Sequence, residues 1–266
     1  MLLACVFVVE LTVAAAVAAH PQHPRVAATP LVVRDRTVRL VNLGGPSSER
    51  VVAGVAANIG TAVDKVESFW GGDWSPVISV VAAGSDDQFR AAAGGGSAAQ
   101  WADIAAVTVV DRIDTAHRVV LGERIVFAPG AARMSDSALR IVLTHELFHY
   151  AARADTALDA PRWLTEGVAD FVARPSTALP ADAVGAARQL PSDTDLDTPG
   201  SQRSLAYDRA WWFVRFVADT YGAAKLRAFY RAACGVGHTD WLTAARGTLG
   251  IDSAGLLAGW KRWMAG

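Results

Sequence analysis

Six of the residues in this 266-residue chain are histidines, and two of them stand in the run His145-Glu146-Leu147-Phe148-His149. On a helix, positions i and i+4 lie one above the other on the same face, so both imidazoles can grip one metal ion. Glu146 falls about a hundred degrees round the helix, close enough to take a proton from a water beside that ion. The chemistry this spacing offers is metal-assisted hydrolysis. Two satisfied core histidines on a packed helix would be the plainer explanation of the same residues.

A hydrolytic zinc site needs a third protein ligand and an open fourth position. The segment from Pro161 to Phe171 (PRWLTEGVADF) supplies a candidate. Pro161 favours a helix start and Pro175 forces a stop. Between them Glu166 and Asp170 share a face. Glu166 can complete a His2Glu set. Asp170, one turn on, can accept a hydrogen bond from the ring of a ligating histidine and fix its tautomer. Carboxylates four apart are common on solvated helices, but Trp163, Leu164, Val168 and Phe171 around this pair are apolar, so the helix packs and its acids need a purpose.

These residues resemble the gluzincin zinc metallopeptidases, and within them the peptidase MA-like group. The likeness is carried by His145, Glu146 and His149 together with the WLTEGVADF segment, and extends over about residues 120–225. It implies a zincin-like fold, with Glu166 as third ligand and Asp170 supporting a histidine. The sixteen residues between His149 and Glu166 are slightly fewer than in the best-known gluzincins, implying a shorter connection. Ser204 to Trp211 (SLAYDRAW) looks like the tyrosine-bearing helix start of related aminopeptidases, which implies Tyr207 as an oxyanion stabiliser. Tyr207 also falls in a helical stripe with Trp211, Val214, Ala218 and Tyr221, so a core role stays open. The resemblance further implies that the strand before the motif helix, Arg124 to Ala128, borders the cleft and could pair with an extended substrate. Gly122-Glu123 is a poor echo of the aminopeptidase GxMEN segment, which inclines the expectation towards an endopeptidase.

The elements that must position these groups are legible as a change of period. Val32 to Val41 alternates as a strand. Pro46 opens a long helix with Val52, Val55, Ile59, Val63 and Val66 at helical spacing, closed by Gly71-Gly72. Pro76 to Ala82, Ala105 to Val110 and Arg124 to Ala128 read as further strands, the last two antiparallel. Beyond residue 134 the pattern is helical: 135–152, 161–173, 204–221, 223–234, 239–247 and 252–264. The expectation is an α+β protein, with a small mixed sheet lobe over 26–134 and a helical lobe over 135–266 carrying the zinc site.

Composition excludes several classes. A hydrophobic content of 52% with 19% charged residues excludes disorder for the bulk of the chain. A net charge of −1 leaves no electrostatic footprint for nucleic acid. Two cysteines make neither a disulfide framework nor a thiolate zinc site, and Cys234 reads as a buried thiol. The first nineteen residues are apolar apart from Glu10 and Thr12 and end in an A-x-A arrangement. Residues 1–25 therefore read as a signal peptide or membrane-anchor leader with a spacer, and the expected location is extracytoplasmic, secreted or tethered. No basic residue precedes the run, and Glu10 sits inside it.

Other polar groups carry plainer expectations. Asp193, Asp195 and Asp197 read as a solvated loop, since the glycine and glutamate of a calcium loop are missing. His117 and His238 read as surface residues, and Arg209 and Arg215 as arginines on solvated helix faces. The expected function is a zinc-dependent peptidase acting on a peptide or protein substrate, one Zn2+ per chain, with no nucleic-acid partner and a possible membrane tether. The alternatives are a catalytically silent binding or scaffold domain, and a zinc hydrolase of a non-peptide bond. Nothing in the sequence assigns an oligomeric state.

Overall fold

The computed structural model describes residues 7–8, 26–27, 30–180, 183–186 and 189–266. The chain divides after Ala154 into two compact units. The architecture is α+β, a mixed sheet in the first unit and, among the described residues of the second, helices with a single bridge between Thr156 and Gly235.

The first unit holds strands β1 (Phe7–Val8), β2 (Val26–Ala27), β3 (Leu31–Val33), β4 (Arg36–Asn42), β5 (Val77–Ala82), β6 (Ile104–Val109), β7 (Arg112–Asp114), β8 (Val119–Leu121) and β9 (Arg124–Phe127). Its helices are α1 (Pro46–Trp70), α2 (Asp86–Ala92) and α3 (Asp136–Ala152). The seven-stranded sheet runs β1-β6-β9-β5-β4-β2, with β3 also on β4, while β7 and β8 form a separate hairpin. Strands β4, β5 and β9 are parallel, and β6 lies antiparallel to β9 with Ala106 opposite Phe127. Parallel neighbours require crossovers, and α1 supplies the one between β4 and β5.

Two expectations change here. The stretch read as one strand over 32–41 is a hairpin: Arg34 takes a left-handed backbone (φ 55°) and folds β3 back on β4, Val33 opposite Arg36. The β-branched residues on either side suggest one strand, but the polar run Arg34-Asp35-Arg36 between them holds the turn. The second concerns β9. It is paired on both sides, by β5 and by β6, so it has no free edge for a substrate strand.

The leader needs correction as well. Most of residues 1–25 lie outside the described residues. Phe7 and Val8 are described, and they pair in parallel with Ile104 and Ala106 on β6. Among the described residues no helix is long and apolar enough to cross a membrane. The extracytoplasmic, anchored location expected from the leader therefore falls: an apolar run reads alike as a span or as a sheet strand, and here two of its residues are a strand.

Helix α3 carries the HExxH residues and packs against α1 and the sheet. Ser135 caps its start, its hydroxyl accepting from the Ala138 N–H at 3.2 Å. Phe148 sits edge-on to Trp70 of α1 at 5.7 Å between centroids, and the Tyr150 hydroxyl donates to the Val77 carbonyl of β5 at 2.9 Å. Burial raises the Tyr150 pKa, with the Glu123 charge adding to it. The crossing of α1 and α3 is close at Gly54, where a Cβ would stand 2.3 Å from Leu139 Cδ2.

The second unit consists of α4 (Arg162–Ala173), α5 (Ala183–Ala186), α6 (Asp193–Asp197), α7 (Ser201–Tyr221), α8 (Ala223–Cys234), α9 (Trp241–Leu249) and α10 (Ser253–Ala265). Its centre is the packing of α4 on α7. A Cβ at Gly167 would lie 2.8 Å from the Ala210 carbonyl oxygen, so only glycine admits this approach. Trp163, Phe213, Trp241 and Trp260 form a run of edge-to-face rings beside it. Cys234 is buried, as its type led one to expect.

Candidate metal centre

Within the first unit, α3 delivers both histidines and Glu146 into the interior, all at 1% exposure or less. The Nε2 atoms of His145 and His149 face each other at 2.9 Å. Two neutral rings bonded in this way require one to donate and the other to accept. A shared cation lets both lone pairs point inward, and tetrahedral zinc places two such nitrogens about 3.3 Å apart. Glu146 is held from β6: the Thr108 hydroxyl lies 2.7 Å from Glu146 Oε2.

Within the second unit, α4 places Glu166 and Asp170 on one buried face. Asp170 Oδ2 meets the Arg174 guanidinium at 2.7 Å, and Arg174 also donates to Asp208 at 2.7 Å. Burial pushes the Asp208 carboxyl above the usual range; Arg174 opposes this and the Asp170 charge adds to it. Arg162, one turn before Glu166, donates two hydrogen bonds to Asp197, at 3.0 and 3.2 Å. Burial lowers the Arg162 pKa, yet the Asp197 hydrogen bond and the charges of Glu166 and Asp197, with Tyr207 last among the causes, hold it above the ordinary value. That coupling places Glu166 and Tyr207 in the surroundings of one guanidinium. Tyr207 is buried at 1% exposure.

Taken together, His145, His149 and Glu166 each offer one ligand atom, and these atoms all lie within 4.8 Å of one another. Three buried donors of the His2Glu type at that spacing fit zinc.

Several plainer expectations are revised. Asp193–Asp197 is the one-turn helix α6 and no loop; Ser192 and Asp195 cap each other reciprocally. The Ser192 backbone N–H, then Gln202, hold the Asp195 carboxyl below its ordinary pKa. Arg209 and Arg215 are buried rather than solvated. Arg209 stands 3.5 Å from Asp195, while Arg215 donates to the Thr177 carbonyl and lies over Trp211. His117 is exposed beside Asp114 at 2.8 Å; His238 is largely buried, 3.3 Å from Asp159. Sequence reasoning passed over Thr108, Arg162, Arg174 and Asp208. A threonine in a strand and arginines on helices carry no local mark of the acids they meet.

No family description and no curated protein matches this chain. Among solved structures it is similar to a mutant of a two-domain M1 zinc metallopeptidase with L-arginine bound, at 14% identity and a TM-score of 0.47. The match covers 91% of this chain and 52% of the other, so the chain spans about half that protein's length. At that level the likeness carries no weight for the chemistry, which stands on this chain's own residues.

Proposed function

We propose that the chain is a zinc-dependent peptidase of gluzincin type, an endopeptidase, with one Zn2+ held by His145, His149 and Glu166. The observation that carries this reading is the convergence of three buried ligand atoms within 4.8 Å, with a glutamate next in sequence to the first of them. A scaffold has no use for Glu146 beside a metal. Zinc bound there would supply a Lewis acid for the scissile carbonyl and make a water nucleophilic near neutral pH.

The remaining roles belong to side chains. Glu146 accepts a proton from the attacking water at a carboxylate oxygen as the water oxygen bonds to the carbonyl carbon. It returns that proton to the leaving nitrogen as the C–N bond breaks. Tyr207 donates a hydrogen bond from its hydroxyl to the oxyanion that develops on the former carbonyl. Asp170 supports a histidine ring through one carboxylate oxygen while Arg174 engages the other. The substrate is a peptide or protein; the absence of a basic surplus argues against nucleic acid.

The test is metal analysis joined to cleavage profiling. Protein purified without chelator should hold about one zinc per chain and cut a peptide library, and Glu146→Gln should keep the zinc while losing the cutting. A wild type without zinc, or equal cutting by the variant, would end this reading. Products other than peptides from active wild type would redirect it to a different bond.

A further inference from the structure

Strand β6 reads Ile-Ala-Ala-Val-Thr-Val, and Thr108 is its one polar residue. The side chain is buried at 5% exposure. A valine would fill nearly the same volume without a hydroxyl to satisfy, so packing alone does not account for threonine here. The hydroxyl lies 2.7 Å from Glu146 Oε2 and 3.0 Å from the Glu146 carbonyl oxygen. It has one proton to give. The carbonyl belongs to the interior of α3, where the helical pattern assigns it the N–H four residues on. The carboxylate oxygen is the nearer, so it accepts the hydrogen bond.

We propose that Thr108 is the positioning residue for the general base: it pins Glu146 Oε2 and thereby sets the plane of the carboxylate, assigning the proton transfer to Oε1. The inference rests on the reading of Glu146 as that base. A glutamate side chain turns about three torsions, and a carboxylate that swings must be brought into line before each transfer. A tether from a strand paired on both sides in the sheet removes that search. Thr108 does not touch the substrate; it acts through Glu146. The hydroxyl proton stays on Thr108 Oγ1 throughout, while the water proton travels to Glu146 Oε1 and on to the leaving nitrogen.

The experiment uses the full chain with Thr108→Val and Thr108→Ser, each measured zinc-loaded and metal-free. Loaded Thr108→Val should lose on the order of ten- to a hundredfold in kcat, the scale of a small misplacement of a reacting group. KM should stay within about twofold and zinc at one per chain, and Thr108→Ser should recover most of the rate. In metal-free protein, Thr108→Val should lower the melting temperature in the wild-type background and do so less in Glu146→Ala, because the partner is already gone. Unchanged kcat in Thr108→Val, a Thr108→Ser variant as slow as Thr108→Val, zinc falling along with kcat, or equal melting shifts in the two backgrounds would each overturn the inference. If the wild type itself holds no zinc and cuts nothing, the peptidase reading falls and takes this inference with it. An active wild type with no coupling in the melting cycle overturns the inference alone.

Discussion

Glu146 on α3 and Asp170 on α4 are both buried helical carboxylates, yet they are anchored by different chemistry. Glu146 takes its hydrogen bond from the threonine hydroxyl of a neighbouring strand. Asp170 takes a guanidinium from Arg174, the residue that follows the end of its helix, and that guanidinium continues to Asp208. Glu166, on the same helix as Asp170, lies within the field of Arg162. The difference agrees with the roles proposed above. A base must take up and release a proton in every cycle, and a neutral hydroxyl orients it without fixing its charge. Asp170 and Glu166, proposed as supporting acid and ligand, instead have guanidinium groups as neighbours. The contrast also separates the elements: α3 is positioned by packing and one hydroxyl, α4 by a network of ion pairs and a glycine-thin contact with α7.

The sharpest way to test the contrast is to strip each acid in turn. Glu166→Ala should lose the zinc and all cutting together, whereas Glu146→Gln should keep the zinc and lose roughly 10²- to 10⁴-fold in rate. Metal analysis beside initial rates separates the two outcomes, and zinc lost equally from both variants would erase the distinction. Next in size is Arg174→Met. It leaves Asp170 buried and Asp208 half-buried without their cation and should cost about 3 kcal/mol in denaturant unfolding. A loss under about 1 kcal/mol would mean that the network contributes little to holding α4.

Gly167→Ala should follow, at about 1–3 kcal/mol, since its methyl meets the Ala210 backbone, which cannot turn aside as a side chain can. Gly54→Ala meets only the Leu139 side chain and should cost less. The reverse order in chemical denaturation would show that α1 and α3 form the stiffer contact. The smallest effect concerns α6. Asp195 has a folded-state pKa below its ordinary value, so its stabilising contribution is present above the ordinary carboxylate range and is lost as pH falls through the lower value. Asp195→Asn should therefore lower the neutral plateau of the melting-temperature profile slightly and flatten its acid limb, the two profiles meeting at low pH. An unchanged acid limb would deny Asp195 that role.

The long helices were legible because helical period, caps and breakers are local. Residues 46–70 and 136–152 each begin beside a Pro or a Ser, and Gly71 closes the first. The parts that were not legible are those in which one stretch imitates another. Val32 to Val41 resembles one strand although it turns at Arg34-Asp35, and an apolar run reads the same whether it is a helix or, as at Phe7–Val8, a strand on β6. Asp193–Asp197 looked solvated because its partners, Arg162 and Arg209, come from other helices. The interior place of β9 depends on β5, more than forty residues earlier, and on β6.

What the sequence determined by itself is which candidate residues share a helix, because His145, Glu146 and His149 on α3, and Glu166 and Asp170 on α4, owe their spacing to helical pitch. Which neighbour holds each acid was decided only in three dimensions. Thr108 reaches Glu146 across 38 positions and Arg174 reaches Asp208 across 34. A hydroxyl or a guanidinium declares its partner only once burial has removed water as the alternative.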